Sequence, residues 1–150
     1  MPLKMVVKRS EPAEQRHWDE QVRPRLTGDE EIIDSVEHEA KVDLFSRAKA
    51  TLFPIRWEEP FGLVMVESMV CGTPVIAAPR GAAFEVVDDG VTGFLREEVD
   101  EMVAALRAID TISPEACRSR VGTLFSAEAM VGGYETLYRG LGADGGTRTG

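Results

Sequence analysis

The residues with chemistry to offer fall in one stretch, EEPFGLVMVESMVCGTPVIAAPRG, residues 58–81. It sets Glu59 before a dense apolar run and Glu67 inside it, among Phe61, Leu63, Val64, Met65, Val66, Met69 and Val70. A buried helix wants neither carboxylate, and a surface helix does not want so many apolar neighbours. The run predicts a helix over 61–71, stopped by Gly72. Glu67 then sits about a turn and a half into that helix. Helical side chains lean toward the amino end, so its carboxylate can reach back toward the same mouth as Glu59. At that mouth the unpaired amides of the first turn and the helix dipole favour phosphate. Gly62 lets a ligand come close to the backbone. A carboxylate beside a phosphate is electrostatically wrong unless it faces neutral hydroxyls. Two acids flanking a phosphate-binding helix start therefore fit a ligand with diols on both sides of a phosphate, as in a nucleotide sugar. Spacing alone leaves the plainer reading open, in which Glu59 is a solvated loop acid and Glu67 a helix acid at the edge of the core. Glu58 reads as a surface acid.

The rest of the chain narrows the chemistry. No GxGxxG or Walker sequence occurs, so dinucleotide binding and NTP hydrolysis lack their phosphate loops. Two histidines leave little material for a zinc site, and Cys71 and Cys117 show no CxxC pairing. They read as reduced thiols of a cytoplasmic protein. A formal net charge of −9 argues against nucleic acid and anionic membrane as partners. No apolar run approaches the ~20 residues of a membrane span, and MPLKMVVKRS is too short and too charged for a signal peptide. At 150 residues, 43% of them apolar, the chain suits one domain with its own core.

These residues must be positioned by alternating elements. Strands are predicted at Leu3–Lys8, at Glu30–Val36, in ATLFPI (50–55), in the fully apolar PVIAAP (74–79) and in GFLR (93–96). Helices are predicted between them. Residues 11–26 carry Trp18, Val22 and Leu26 at helical spacing, with Pro24 to end or kink the run. EHEAKVDLFSRAKA (37–50) carries Val42, Leu44, Phe45 and Ala48 on one stripe. Ala82–Val87 is a short helix, followed by the turn DDGVTG. VDEMVAALRAI (99–109) sets Val99, Met102, Val103, Leu106 and Ile109 on one stripe. Ser113 and Ser126 open two more helices as N-caps. GADGGTRTG, residues 142–150, reads as a disordered tail. Short apolar strands between helices of about ten residues predict a Rossmann-like α/β fold, a parallel sheet with helices on both faces. Ligands in such sheets bind at the carboxyl edge of the strands, where residues 54–60 fall.

The stretch EEPFGLVMVESMVCGTPVIA resembles the E-x7-E signature of family 4 of the retaining GT-B glycosyltransferases, roughly E-x-F-G-L-x-x-x-E-A-M-A-C-G-T-P-V-I-A. The similarity continues through RGAAFEVVDDGVTGFL, which is similar to the family's G-x-x-E-V-V-x-D-G-x-T-G-F-L. It extends over roughly residues 3–141. The resemblance implies the donor-binding carboxyl-terminal half of a GT-B fold and transfer of a hexose from a UDP- or GDP-linked donor with retention of configuration. Under it Glu59 matches the first acid of the motif, which holds the donor sugar's hydroxyls at the reacting centre and is the catalytic candidate. Glu67 matches the second, which holds the ribose diol. Phe61, Gly62, Leu63 and Val64 match the helix start that faces sugar and diphosphate. The loop after Val36 matches the place where the base packs. The nucleotide sugar is a substrate; no cofactor and no metal is implied.

The departures carry expectations too. The family's acceptor-binding amino-terminal domain has no counterpart here, nor does its G-R-x(4-5)-K-G loop, whose Arg and Lys clamp the diphosphate. Residues 1–141 therefore read as a truncated nucleotide-sugar-binding domain. A neighbouring chain would supply the missing domain, and the isolated chain would have weak activity or none. Lys8 and Arg9 read as a solvated strand end rather than a replacement clamp. Ser68, where the family has Ala, reads as a mild change. The alternatives are a non-catalytic nucleotide-sugar-binding module and an inactive remnant.

Overall fold

A computed structural model describes residues 2–144, with side chains through Leu141. The chain divides into two compact units, residues 1–41 and 42–150. The expected tail is helical through Asp144, and its remainder, residues 145–150, lies outside the described residues.

In the first unit β1 (Lys4–Val6) and β2 (Glu31–Ile33) pair in parallel, with Met5 opposite Ile32. The helix predicted over 11–26 is three pieces. α1 (Pro12–His17) gives way to a wide π turn at Trp18–Val22 and a tight 3₁₀ turn at Arg23–Arg25. Pro24 is the physical cause. It has no N–H to offer, and its ring crowds the carbonyl four residues back, so the turns before it change pitch. The Arg25 guanidinium donates instead to the Gln21 carbonyl. Of the predicted stripe, Trp18 is buried, and Val22 and Leu26 are half-buried. Arg9 lies 4.7 Å from the centroid of the Trp18 ring and pairs with Asp34.

The second unit is a three-stranded parallel sheet in the order β3 (Thr51–Phe53), β4 (Val75–Ala77), β5 (Gly93–Leu95). The parallel pairing is as expected, but the strands fall into two sheets and each is shorter than its apolar run. α2 (His38–Arg47) leads into β3; α3 (Leu63–Val70) crosses from β3 to β4, and α4 (Ala83–Val86) from β4 to β5. α5 (Val99–Ala108), α6 (Pro114–Leu124) and α7 (Ala127–Asp144) complete the unit. The Ser113 and Ser126 hydroxyls accept the amides of Glu115 and Ala129, as N-caps do. The core joins Met65 and Met69 of α3, the whole of β4, Val86, Ile109, and Cys117 and Val121 of α6. Burial pushes the Cys117 thiol up, which makes it inert packing material. Cys71 and Cys117 are both free thiols.

Two stripes are corrected. On α5 the buried face is Met102, Ala105, Leu106 and Ile109, while Val99 and Val103 are exposed. Of the stripe predicted on α2, Leu44 and Phe45 are half-buried, while Val42 and Ala48 are exposed. Ser68 is more than a mild change. It is fully buried, its hydroxyl donates to the Thr73 carbonyl at 3.0 Å, and it meets the Thr51 hydroxyl at 2.8 Å. That single side chain ties the end of α3 to the starts of β3 and β4.

Candidate functional site

Because β3, β4 and β5 are parallel, their carboxyl ends, Phe53, Ala77 and Leu95, share one edge. The loop 54–62 leaves β3 there, and the loop 78–82 leaves β4. The two are laced together through main-chain groups. The Ala82 amide donates to the Glu59 carbonyl at 2.8 Å, and the Gly81 amide donates to the Glu58 carboxylate at 2.6 Å. Glu58 is exposed, as expected of a surface acid, and is also a structural partner of the opposite loop. Nothing in the local pattern signals this, because its partner lies in another element.

Glu59 is half-buried, and its carboxylate is held from two sides. One oxygen accepts the Trp57 indole N–H at 3.0 Å and the other the Gly62 amide at 3.2 Å. With its carbonyl also pinned, the negative charge is fixed in place before any ligand arrives. Gly62 has φ +73° and caps α3, so the helix starts at Leu63 rather than at Phe61. Gly62 is buried, and a β-carbon on it would stand 2.3 Å from the Met65 terminal methyl. The close approach that this glycine permits is therefore that of Met65, and its amide is already used by Glu59. The amides of Leu63 and Val64 donate to no protein acceptor among the described residues. They are the groups open at the positive end of the helix. The Phe61 ring is partly exposed and meets Phe125 edge-on at 6.1 Å.

Glu67 is half-buried on the face of α3 above Leu63, opposite the buried Met65–Ser68–Met69 side. The amino-ward lean of helical side chains carries it toward the helix start. Glu59, Leu63 and Val64 thus meet at the start of α3, and Glu67 stands one turn further along the helix. The loop after Val36 belongs to the first unit.

At the end of β5, Asp89 accepts the Leu95 amide at 2.9 Å and the Arg96 guanidinium at 2.8 Å. Burial alone would raise its carboxyl; the Leu95 amide and Arg96 outweigh that and hold it below its ordinary 3.8. A carboxyl depressed by folding adds stability above its unfolded value and loses it as pH falls through the folded one. Asp89→Asn should therefore lower the urea midpoint by an amount constant from neutral pH down to about pH 5. The gap between variant and wild type should close below that, in acid urea titrations followed by circular dichroism.

Comparison with known proteins gives the frame for this geometry. The profile of the family described as "Glycosyl transferases group 1" matches residues 25–121. N-acetyl-alpha-D-glucosaminyl L-malate synthase of Bacillus anthracis is 36% identical over 89 residues, 54% of this chain and 23% of that protein. D-inositol 3-phosphate glycosyltransferase of Streptomyces griseus subsp. griseus is 37% identical over 103 residues, 67% of this chain and 21% of that protein. The chain thus spans less than a quarter of the length of these curated relatives. Among solved structures, sucrose-phosphate synthase from Thermosynechococcus elongatus superposes with a TM-score of 0.75 at 30% identity, over 95% of this chain and 38% of that one. Anabaena HepE, solved with UDP-glucose, superposes with a TM-score of 0.64 at 21% identity, over 89% of this chain and 38% of that one, a likeness of fold. Among the described residues no helix is long and apolar enough to cross a membrane. With its parallel strands, flanking helices and a profile match over most of its length, the chain belongs to the group 1 glycosyltransferases and has the Rossmann-like architecture of their GT-B carboxyl-terminal domain.

Proposed function

We propose that this chain is the donor-binding part of a glycosyltransferase that takes a hexose from a UDP- or GDP-linked donor and transfers it with retention of configuration. The observation that carries the reading is the fixed Glu59 carboxylate beside two open amides at the start of α3. The Leu63 and Val64 amides, with the helix dipole behind them, would take diphosphate oxygens. Glu67 would accept the ribose hydroxyls on one side. Glu59 would hold the hexose hydroxyls on the other, and its charge would favour a sugar that becomes oxocarbenium-like as the bond breaks. A carboxylate immobilised by Trp57 and Gly62 needs no reorganisation when that charge develops. The acceptor would be met by the part of the relatives that this chain does not span.

The test is calorimetric titration with UDP, GDP and their nucleosides. Glu67→Ala should weaken nucleotide and nucleoside alike by about 2 kcal/mol, roughly thirtyfold, the scale of a charge-assisted hydrogen bond. Unchanged affinity in that variant would remove the ribose role, and a wild-type chain that binds neither nucleotide would remove the reading.

A further inference from the structure

Each strand of the second unit is followed by an arginine within three residues of its carboxyl end: Arg56 after β3, Arg80 after β4, Arg96 after β5. Parallel strands put all three on one edge, in a chain whose net charge is −9. They differ in how far the protein has committed them. Arg96 is engaged through Nη1, which donates to Asp89 and to the Leu95 carbonyl, and its guanidinium lies 5.2 Å from the Phe94 ring centroid. Arg80 pairs through one terminal nitrogen with Glu97, while its Nε is buried without a hydrogen-bond partner among the described residues. Arg56 is exposed and has no ion pair or hydrogen bond among the described residues. The last two stand on the two loops that Glu58 and Glu59 lace together. Glu58, two residues after Arg56, accepts the Gly81 amide.

We propose that Arg56 and Arg80 form a two-armed clamp for the diphosphate of the donor, an inference that rests on the nucleotide-sugar reading above. A guanidinium presents paired N–H groups that match two phosphate oxygens, and Arg80, part-exposed, offers its terminal nitrogens rather than its buried Nε. The Glu97 carboxylate holds Arg80 in the absence of ligand and competes with the phosphate for it. Arg56 meets no such competitor and adds its charge outright.

The whole chain is titrated by calorimetry with UDP and GDP and, separately, with uridine and guanosine. Arg56→Gln and Arg80→Gln should each weaken the nucleotide about tenfold and leave the nucleoside unchanged. Glu97→Gln frees Arg80 and should tighten the nucleotide roughly threefold, again without effect on the nucleoside. A merely structural Arg80–Glu97 pair would give loss, not gain, in that variant. The clamp is overturned if the arginine variants bind nucleotide as the wild type does, if nucleoside affinity falls in step, or if Glu97→Gln fails to tighten binding. Those results leave the donor reading standing when the wild-type chain binds nucleotide. A wild-type chain that binds none removes both.

Discussion

Gly81→Ala is expected to destabilise the chain by about 3 kcal/mol and to weaken nucleotide binding at least tenfold. Two costs coincide at this position. Gly81 has φ +50°, a conformation that an alanine adopts only with strain. A β-carbon there would also stand 2.4 Å from the Glu59 carbonyl oxygen and 2.5 Å from the Glu59 nitrogen. Both are main-chain atoms, so no side-chain rotation relieves the contact. The loops after β3 and β4 must part, and the Ala82-to-Glu59 and Gly81-to-Glu58 hydrogen bonds stretch or break. Glu59 then loses the anchor of its backbone while its carboxylate keeps only local partners. Urea unfolding should show a lower midpoint at unchanged slope, and calorimetry on the folded variant should show the loss of affinity. Wild-type stability in the variant would mean that the two loops do not touch as described.

The glycine also shows where the sequence stops being readable. Residues 80–82 offer no local sign that they meet Glu58 and Glu59, because that contact exists only once β3 and β4 lie side by side. Ser68 is the same case: its value comes from Thr51 and Thr73, which its helix does not contain. What was readable was local. The all-buried β4 follows from VIA between Pro74 and Ala78, and the α3 stop follows from Gly72, whose φ is +88°. The α5 helix was evident from its period, yet its inward face was not. Apolar residues cover too broad an arc of that helix for the pattern to choose between Val99–Val103 and Ala105–Ile109, and the sheet beneath makes the choice. Glu59 and Glu67 stood out because acids beside a dense apolar run contradict the packing rule around them. Such local contradictions mark functional sites more often than they mark core.

The second large effect needs no unusual backbone at all. Gly93 opens β5 directly opposite Val75 of β4, and an added β-carbon would stand 2.0 Å from the Val75 carbonyl oxygen and 2.9 Å from its carbonyl carbon. Here the crowding alone forbids a side chain. Gly93→Ala should drive β5 away from β4 and cost about 3 kcal/mol, at the upper end for overpacking because backbone cannot step aside. Asp89 bridges to Gly93 and holds Arg96, so the displacement also moves the arginine at the end of β5. The contrast is Gly122, inside α6, where the added carbon meets nothing within 4 Å. There the same substitution should stabilise by roughly 0.5–1 kcal/mol, since alanine loses less chain entropy in a helix. Thermal melts of the two variants should move in opposite directions from the wild type. Equal shifts would mean that the close β4–β5 approach at Gly93, which sets the geometry of the whole strand edge, is not what holds the sheet.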